Sequence, residues 1–350
     1  MRLKLCALIA VAALGIALVE PGREPLRAQM PAAATLTGKV TSVEEGAMEG
    51  VLVSARKAGS TITTTVVTDA QGRYRFPRMR LEPGQYALRI RATGYDLASP
   101  GSAVVTAGQS ATADITLKKT TDLAAQLTNA EWIMSFPGTD QQKLSVHGCA
   151  HCHTLERIVR SHYDTDKLLA VVQRMGRYTT QSFPLKIQKQ FGGQRQGNGP
   201  QTAEGQTQLA ANQRRLAEYL ATVNLSTGSQ WSYELKTFPR PKGKATQVIY
   251  TEYDLPQRTH QPHDVVVDPE GFAWYASFGD SVLGKIDPKS GKVTLYDVPV
   301  PNPDTVIGTN DLEFDEDGNL WLATMFQAAL IRFDRKTEKF TVFNSLPASA

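Results

Sequence analysis

The feature that most narrows the possible folds is a repeat in the last hundred or so residues. "HDVVVDPEGFAWYASFGDSVLGKIDPKSGKVTLYDVP" and "NDLEFDEDGNLWLATMFQAALIRFDRKTEKFTVFNSLP" align without gaps at a spacing of 47, His263 with Asn310, Gly271 with Gly318, Trp274 with Trp321 and Asp287 with Asp334. Each unit offers four short strand-like runs joined by "DPEG" or "DEDG" and by "DPKSG" or "DRKTE" turns. Four strands per repeat, with turn signals between them, predict propeller blades. "YTEYDLP", just before the first unit, is expected to supply the outer strand of a preceding blade. Residues 246–350 leave room for barely two blades, whereas a closed propeller takes roughly four or more. Two blades would leave long open edges with apolar faces, so the chain is expected either to be a piece of a longer one or to complete its sheet with a partner.

The rest of the chain moves to other rhythms. Residues 35–118 alternate apolar and polar positions, as in "VLVSARKAG" and "GQYALRIRATGY", with Gly or Pro between the runs. That period of two predicts an antiparallel β-sandwich. Residues 121–228 lose the alternation. Leu168, Val171, Val172, Met175 and Tyr178 form one stripe at helical spacing, and Leu209, Leu216, Leu220 and Val223 another, which predicts a small all-α domain. A polar loop, "FGGQRQGNGPQTAEGQ", separates its last two helices, and residues 229–245 read as a linker. The fold class expected is thus multidomain: an all-β sandwich, an all-α domain, and an incomplete propeller of about two blades.

Arg2 and Lys4 precede an apolar stretch from Leu5 to Val19, followed by helix breakers and small residues near Ala28. Residues 1–28 therefore read as a signal peptide, the stretch being shorter than the ~20 apolar residues a membrane span needs; an uncleaved anchor is the alternative. No later stretch is apolar enough to span a membrane, so the mature protein is expected to be periplasmic or secreted. A net charge of +4 without a basic run gives no argument for nucleic acid. Once Cys6 leaves with the signal, Cys149 and Cys152 are the only cysteines retained.

Those two cysteines stand in "HGCAHCHTLERIV". Thiols at i and i+3 lie on one side of a helical turn, at the spacing that lets each form a thioether to one vinyl group of a single haem, and the adjacent His153 can then reach the iron from one face. Two rivals remain. A structural zinc site would want a fourth ligand and usually a second cysteine pair, and only His147, His151 and His162 are near. A thioredoxin-like redox pair belongs after a strand in a βαβ unit, whereas helical patterns flank this motif on both sides.

On "CAHCH", the helix around Trp132 and the closing "LAEYLATV", residues 121–228 resemble class I cytochromes c. The resemblance implies one covalent haem c, bound through Cys149 and Cys152, with His153 as proximal ligand and a methionine sulfur opposite. Met175 is the only methionine between the motif and the end of this domain. Its other reading is a core residue on the apolar stripe, and His162 or an open position are the alternatives for the iron. Arg157 and Arg160 could pair with haem propionates, but a solvated helix face accounts for them equally.

Two further resemblances concern the β segments. On "TDAQGRYRF" and "PGQYALRIRATGY", residues 35–118 resemble the carboxypeptidase regulatory-like domain, a transthyretin- or Ig-like sandwich that serves as a companion module. On "VVVDPEGFAWYASF" and "LEFDEDGNLWLATM", the repeats resemble the streptogramin B (virginiamycin B) lyase propeller. That family's elimination chemistry uses histidine, glutamate and a divalent cation on later blades, so none of its catalytic residues carries over. His263, in "QPHDVVV", is the one candidate there, set against a structural hydrogen-bonding role.

The function expected is electron transfer by an exported c-type cytochrome, with a redox partner protein or a small electron carrier. One alternative is a haem-containing propeller enzyme, lyase-like or dehydrogenase-like, whose catalytic blades lie outside this sequence. Another is a carbohydrate- or envelope-binding protein with a haem sensor.

Overall fold

The computed structural model describes residues 34–190, 202–324 and 326–344. The signal peptide expected at 1–28 and much of the polar loop after Gln190 lie outside the described residues.

The N-terminal domain is a sandwich of two sheets. Strand Ala34–Ser42 is the hub of the first, pairing antiparallel with Gly46–Ala47 and Arg73–Pro77 and parallel with Ala111–Thr112 and Ile115–Lys119. The expected sandwich is therefore mixed rather than purely antiparallel. Leu36, Val40, Tyr74, Phe76, Val53 and Leu88 alternate inward to form its core. Gly38 permits the tightest approach, because a Cβ there would stand 2.0 Å from the Ala113 carbonyl oxygen and 2.7 Å from the Tyr74 ring.

The second sheet runs, in spatial order, through Ile249–Tyr253, Ile62–Val67, Leu52–Lys57, Gly84–Arg91 and Gly101–Val105. Its first member comes from far along the chain. "YTEY" does not build a preceding blade; it lies antiparallel to Ile62–Val67, with Ile249 opposite Val66 and Tyr253 opposite Ile62. An exposed strand edge offers unpaired N–H and C=O groups to any extended segment, and this one arrives from the same chain.

The stretch read as a linker, 229–245, is bound along much of its length. The Trp231 ring centroid lies 5.3 Å from that of Trp132, and its indole N–H donates to the Val159 carbonyl. The N–H of Phe238 donates to buried Glu131 at 3.0 Å, and that of Lys236 to Ser135 at 2.8 Å. Arg240 then pairs with Glu45 of the sandwich and donates to the Glu49 carbonyl.

Between these parts, helices Asn129–Ser135, Asp140–Ser145, Glu156–Val159, Thr165–Met175 and Ala203–Val223 gather around Trp132, Phe136, Leu168 and Leu220. Thr128 and Thr139 each close a reciprocal capping box at a helix start. "CHTLERIVRSHY", expected as a long helix, gives only the single turn Glu156–Val159. Among the described residues no helix is long and apolar enough to cross a membrane.

The two repeats fold as two four-stranded antiparallel meanders. The first blade comprises Pro262–Val267, Ala273–Ser277, Val282–Ile286 and Val293–Asp297, and the second Thr309–Phe314, Leu320–Thr324, Leu330–Asp334 and Lys339–Phe343. The repeated D-x-x-G-x-x-W phrase has one geometry in both. Asp268 accepts from the Phe272 backbone and the Trp274 indole, each at 2.8 Å, and Asp315 does the same for Asn319 and Trp321. Gly271 and Gly318 make the turn with φ of +88° and +80°, where a side chain would be strained.

Arg240 and Tyr95 hold the Glu45 carboxyl down at about 2. A carboxylate depressed in the folded state stabilises it fully above its unfolded value of about 4.5, and that stabilisation is lost as pH falls toward the folded value. Acid unfolding of the wild type and Glu45→Gln should therefore differ most at neutral pH and converge near pH 2.

Candidate functional site

The cysteine motif occupies a 3₁₀ turn, His147–Ala150, followed by irregular turns up to Thr154. Both thiols are free and half-buried, and no disulfide joins them. Cys149 and Ala150 lean against the helical core, whose rim, Ile133, Ile158, Leu169 and Val172, is itself only half covered. Burial pushes the thiol of Cys149 above its ordinary value, with Cys152 adding to the effect, and burial does the same for Cys152.

His153 is tied down through one nitrogen only. Its Nδ1 lies 3.0 Å from the Thr154 carbonyl oxygen, so Nδ1 carries the proton and Nε2 is left as a donor of electrons. Met175 ends helix Thr165–Met175 and is 37% exposed, so it is not the core residue its stripe allowed. Leu168, from the same stripe, is the one that is buried. His162 is exposed, with Nδ1 2.8 Å from the Leu225 carbonyl oxygen. Arg160 is already engaged: it reaches both Asp122 oxygens at 2.7 Å and Glu156 at 2.7 Å. Arg157 is exposed.

The residues of this turn could hold a covalently attached group through the two thiols, with the imidazole beside them. The set comprises two unpaired thiols one turn apart, an imidazole with a free Nε2, and an incompletely covered apolar rim. Among the described residues no group of three or more His, Cys, Asp or Glu is placed to hold a metal ion. The thioredoxin-like alternative fails on context, since a 3₁₀ turn between helices, not a strand, carries the pair.

A second polar cluster lies where the segment after Met175 meets the blades. Gln188 is inserted between them: its amide donates to the Gly279 and Ile307 carbonyls at 3.1 Å, and its oxygen accepts from the Ile307 N–H at 2.9 Å. Lys186 pairs with Asp280, which is 3% exposed. Beneath lies His260, buried, with Nδ1 3.1 Å from the Tyr275 hydroxyl and Nε2 without a partner. Burial holds its pKa below the ordinary histidine value; Asp280 opposes this and Lys186 adds to it. Burial, with Asp280 nearby, pushes Tyr275 up to about 12. Sequence reading singled out His263 here instead. That residue is exposed and stacks on Phe278, ring centroids 5.2 Å apart. No local signal marks His260, because Lys186 and Asp280 are separated by 94 positions and meet only in the fold.

The three Gln188 hydrogen bonds give a direct measure of this docking. Gln188→Ala leaves three backbone groups without their partner, which should cost roughly 2–4 kcal/mol and speed hydrogen exchange at the Ile307 amide, the one N–H among them.

A search of curated proteins finds no match to this chain. Among solved structures the chain is similar to a catalytically inactive virginiamycin B lyase from Staphylococcus aureus with quinupristin. The identity is 24%, the match covers 31% of this chain and 34% of that one, and the TM-score is 0.25. It is similar also to a streptogramin B lyase, with 18% identity, 31% and 33% coverage and a TM-score of 0.25. The chain thus spans about a third of the length of the lyase structures it matches. Residues 35–118 match the family model of the carboxypeptidase regulatory-like domain, and the sandwich is that domain.

Proposed function

We propose that the chain is an exported c-type cytochrome, periplasmic or secreted, that transfers electrons through one covalently bound haem c. The observation that carries this reading is the turn at 147–154. Two free thiols and a singly anchored imidazole share this turn, and Cys149 packs against the half-covered apolar rim of the helical core.

Cys149 and Cys152 would hold the group by thioether bonds, and His153 Nε2 and the Met175 sulfur would serve as its iron ligands. When bound, such a group supplies one-electron cycling between ferrous and ferric iron. The chain's own residues do the rest. The Thr154 carbonyl accepts from Nδ1–H of His153, which in the neutral ring leaves the lone pair on Nε2. Ile133, Leu169 and Val172 form an apolar wall that keeps water away and lowers the local dielectric. The electron partner is a redox protein or a small electron carrier.

A second reading is a propeller enzyme, lyase or oxidoreductase, served by the haem-bearing part. One observation favours it: the segment directly after Met175 docks through Lys186 and Gln188 onto loops of both blades.

Made with a cytochrome c maturation system, the chain should add one porphyrin mass to the peptide containing Cys149 and Cys152 and show a c-type pyridine haemochrome. An unmodified peptide rejects the reading. Replacing both cysteines with alanine should abolish the addition. Met175→Ala should keep the covalent haem, lose the methionine-to-iron charge-transfer band and lower the reduction potential, since a thioether ligand raises it.

A further inference from the structure

Where the segment 177–190 meets the first blade, two buried polar atoms are left over. Among the described residues Nε2 of His260 and Oδ2 of Asp280 have no hydrogen-bond partner, although their residues are only 8% and 3% exposed. The cluster around them is assembled from three places. His260 precedes strand Pro262–Val267, Asp280 sits in the turn between Ala273–Ser277 and Val282–Ile286, and Lys186 comes from the segment. Close packing holds the three together. The Gln261 amide donates to the Gln181 carbonyl at 3.3 Å and the Phe278 N–H to the Gln261 carbonyl at 2.7 Å, and a Cβ on Gly279 would stand 2.5 Å from Gln261 Nε2. A charge that arises here has little access to water.

While His260 is neutral the cluster holds one anion and one cation. Asp280 gives Oδ1 to Lys186 and keeps Oδ2 uncommitted. Among the described residues these are the two charges that act on His260. Tyr275, whose hydroxyl lies 3.1 Å from Nδ1, is pushed up to about 12 and stays neutral wherever a histidine titrates. A protonated His260 would place two cations beside one carboxylate in a poorly solvated joint, a balance that favours expelling one of them. The imidazole is buried, whereas the Lys186 side chain is 40% exposed and carries its charge on a flexible stem. Lys186 is therefore the cation that leaves.

We propose that this cluster is a proton-operated latch: when His260 takes up a proton, Asp280 passes from Lys186 to the imidazolium, and the segment 177–190 loosens from the first blade. The proton comes from solvent and is held by the ring nitrogen that carries none in the neutral form, so no covalent bond between heavy atoms changes. Burial disfavours the charged ring, so the closed joint binds this proton less readily than an open one does. A histidine depressed in the closed state leaves that state fully stable above the ordinary value of 6.5, and closure is lost as pH falls below it toward the depressed value. The latch is shut at neutral pH and opens in mild acid. Gln188, which carries no charge, spans the same joint to Gly279 and Ile307 and marks the opening without driving it. The latch uses neither the cysteines nor His153 and stands apart from the haem reading.

Ile307 reports on the joint, since its N–H donates to Gln188 across it. Hydrogen exchange of this amide in the full chain, divided at each pH by the rate of an unstructured amide, should show protection about tenfold lower near pH 5 than near pH 7.5. His260→Gln cannot take up the proton and should keep its protection across that range. Lys186→Gln tests the same step from a half-exposed position and leaves the buried residues in place. With no second cation to expel, acid should no longer lower the protection, and the His260 ring should titrate at a higher pH than in the wild type because a like charge is gone. Circular dichroism matching the wild type at neutral pH serves as the folding control. Wild-type protection that does not change with pH overturns the proposal, as does an acid-induced loss that persists in either folded variant.

Discussion

One strand addition governs how the parts of this chain meet. Ile249–Tyr253 completes the edge of the sandwich sheet beside Ile62–Val67, so the segment that leaves the helices must cross the first domain before it can begin the blades. The crossing is tightly guided. Gly50 has a φ of +77°, and a Cβ there would stand 2.2 Å from the Pro241 carbonyl oxygen, so the passing chain lies where only a glycine leaves room. Glu49 receives the N–H of Gly243, and Thr61 donates to the Gly291 carbonyl in the first blade. The sandwich thereby acts as the hub on which both later parts are hung.

The second joint is polar where the first is backbone pairing. Gln188 satisfies three backbone groups of two blades, and half-exposed Lys186 pairs with the buried carboxylate of Asp280. Buried charges are costly unless paired, and this pair is formed from different ends of the interface, so separating the parts would leave Asp280 buried without its cation. Along the chain the joint follows helix Thr165–Met175, with Lys186 eleven positions after Met175.

Much of the architecture was legible because its causes are local. Alternation marks the sandwich strands, helical spacing marks Leu168 and Leu220 as core, and the aspartate six residues before each tryptophan closes the same turn in both repeats. The helical stripe did not separate Leu168 from Met175, since a stripe says which face meets the core and not where that face runs out. The strand at 249–253 was misplaced for a related reason: its pattern says strand, but the choice of partner depends on which edge is open. The linker reading of 229–245 failed similarly. Trp231 and Phe238 have no periodic company in sequence, and their partners, Trp132 and Glu131, lie about a hundred positions away.

By itself the sequence determined the covalent possibilities: a pair of thiols at i and i+3 beside an imidazole, two blades with one turn chemistry, and a sandwich with its own core. These depend on spacing along a chain whose local geometry is set by backbone sterics. Tertiary structure alone decided which sheet edge Ile249–Tyr253 completes and which histidine is buried against a tyrosine. Each of those depends on groups brought together from distant positions, where burial and the need to satisfy polar atoms select the partner.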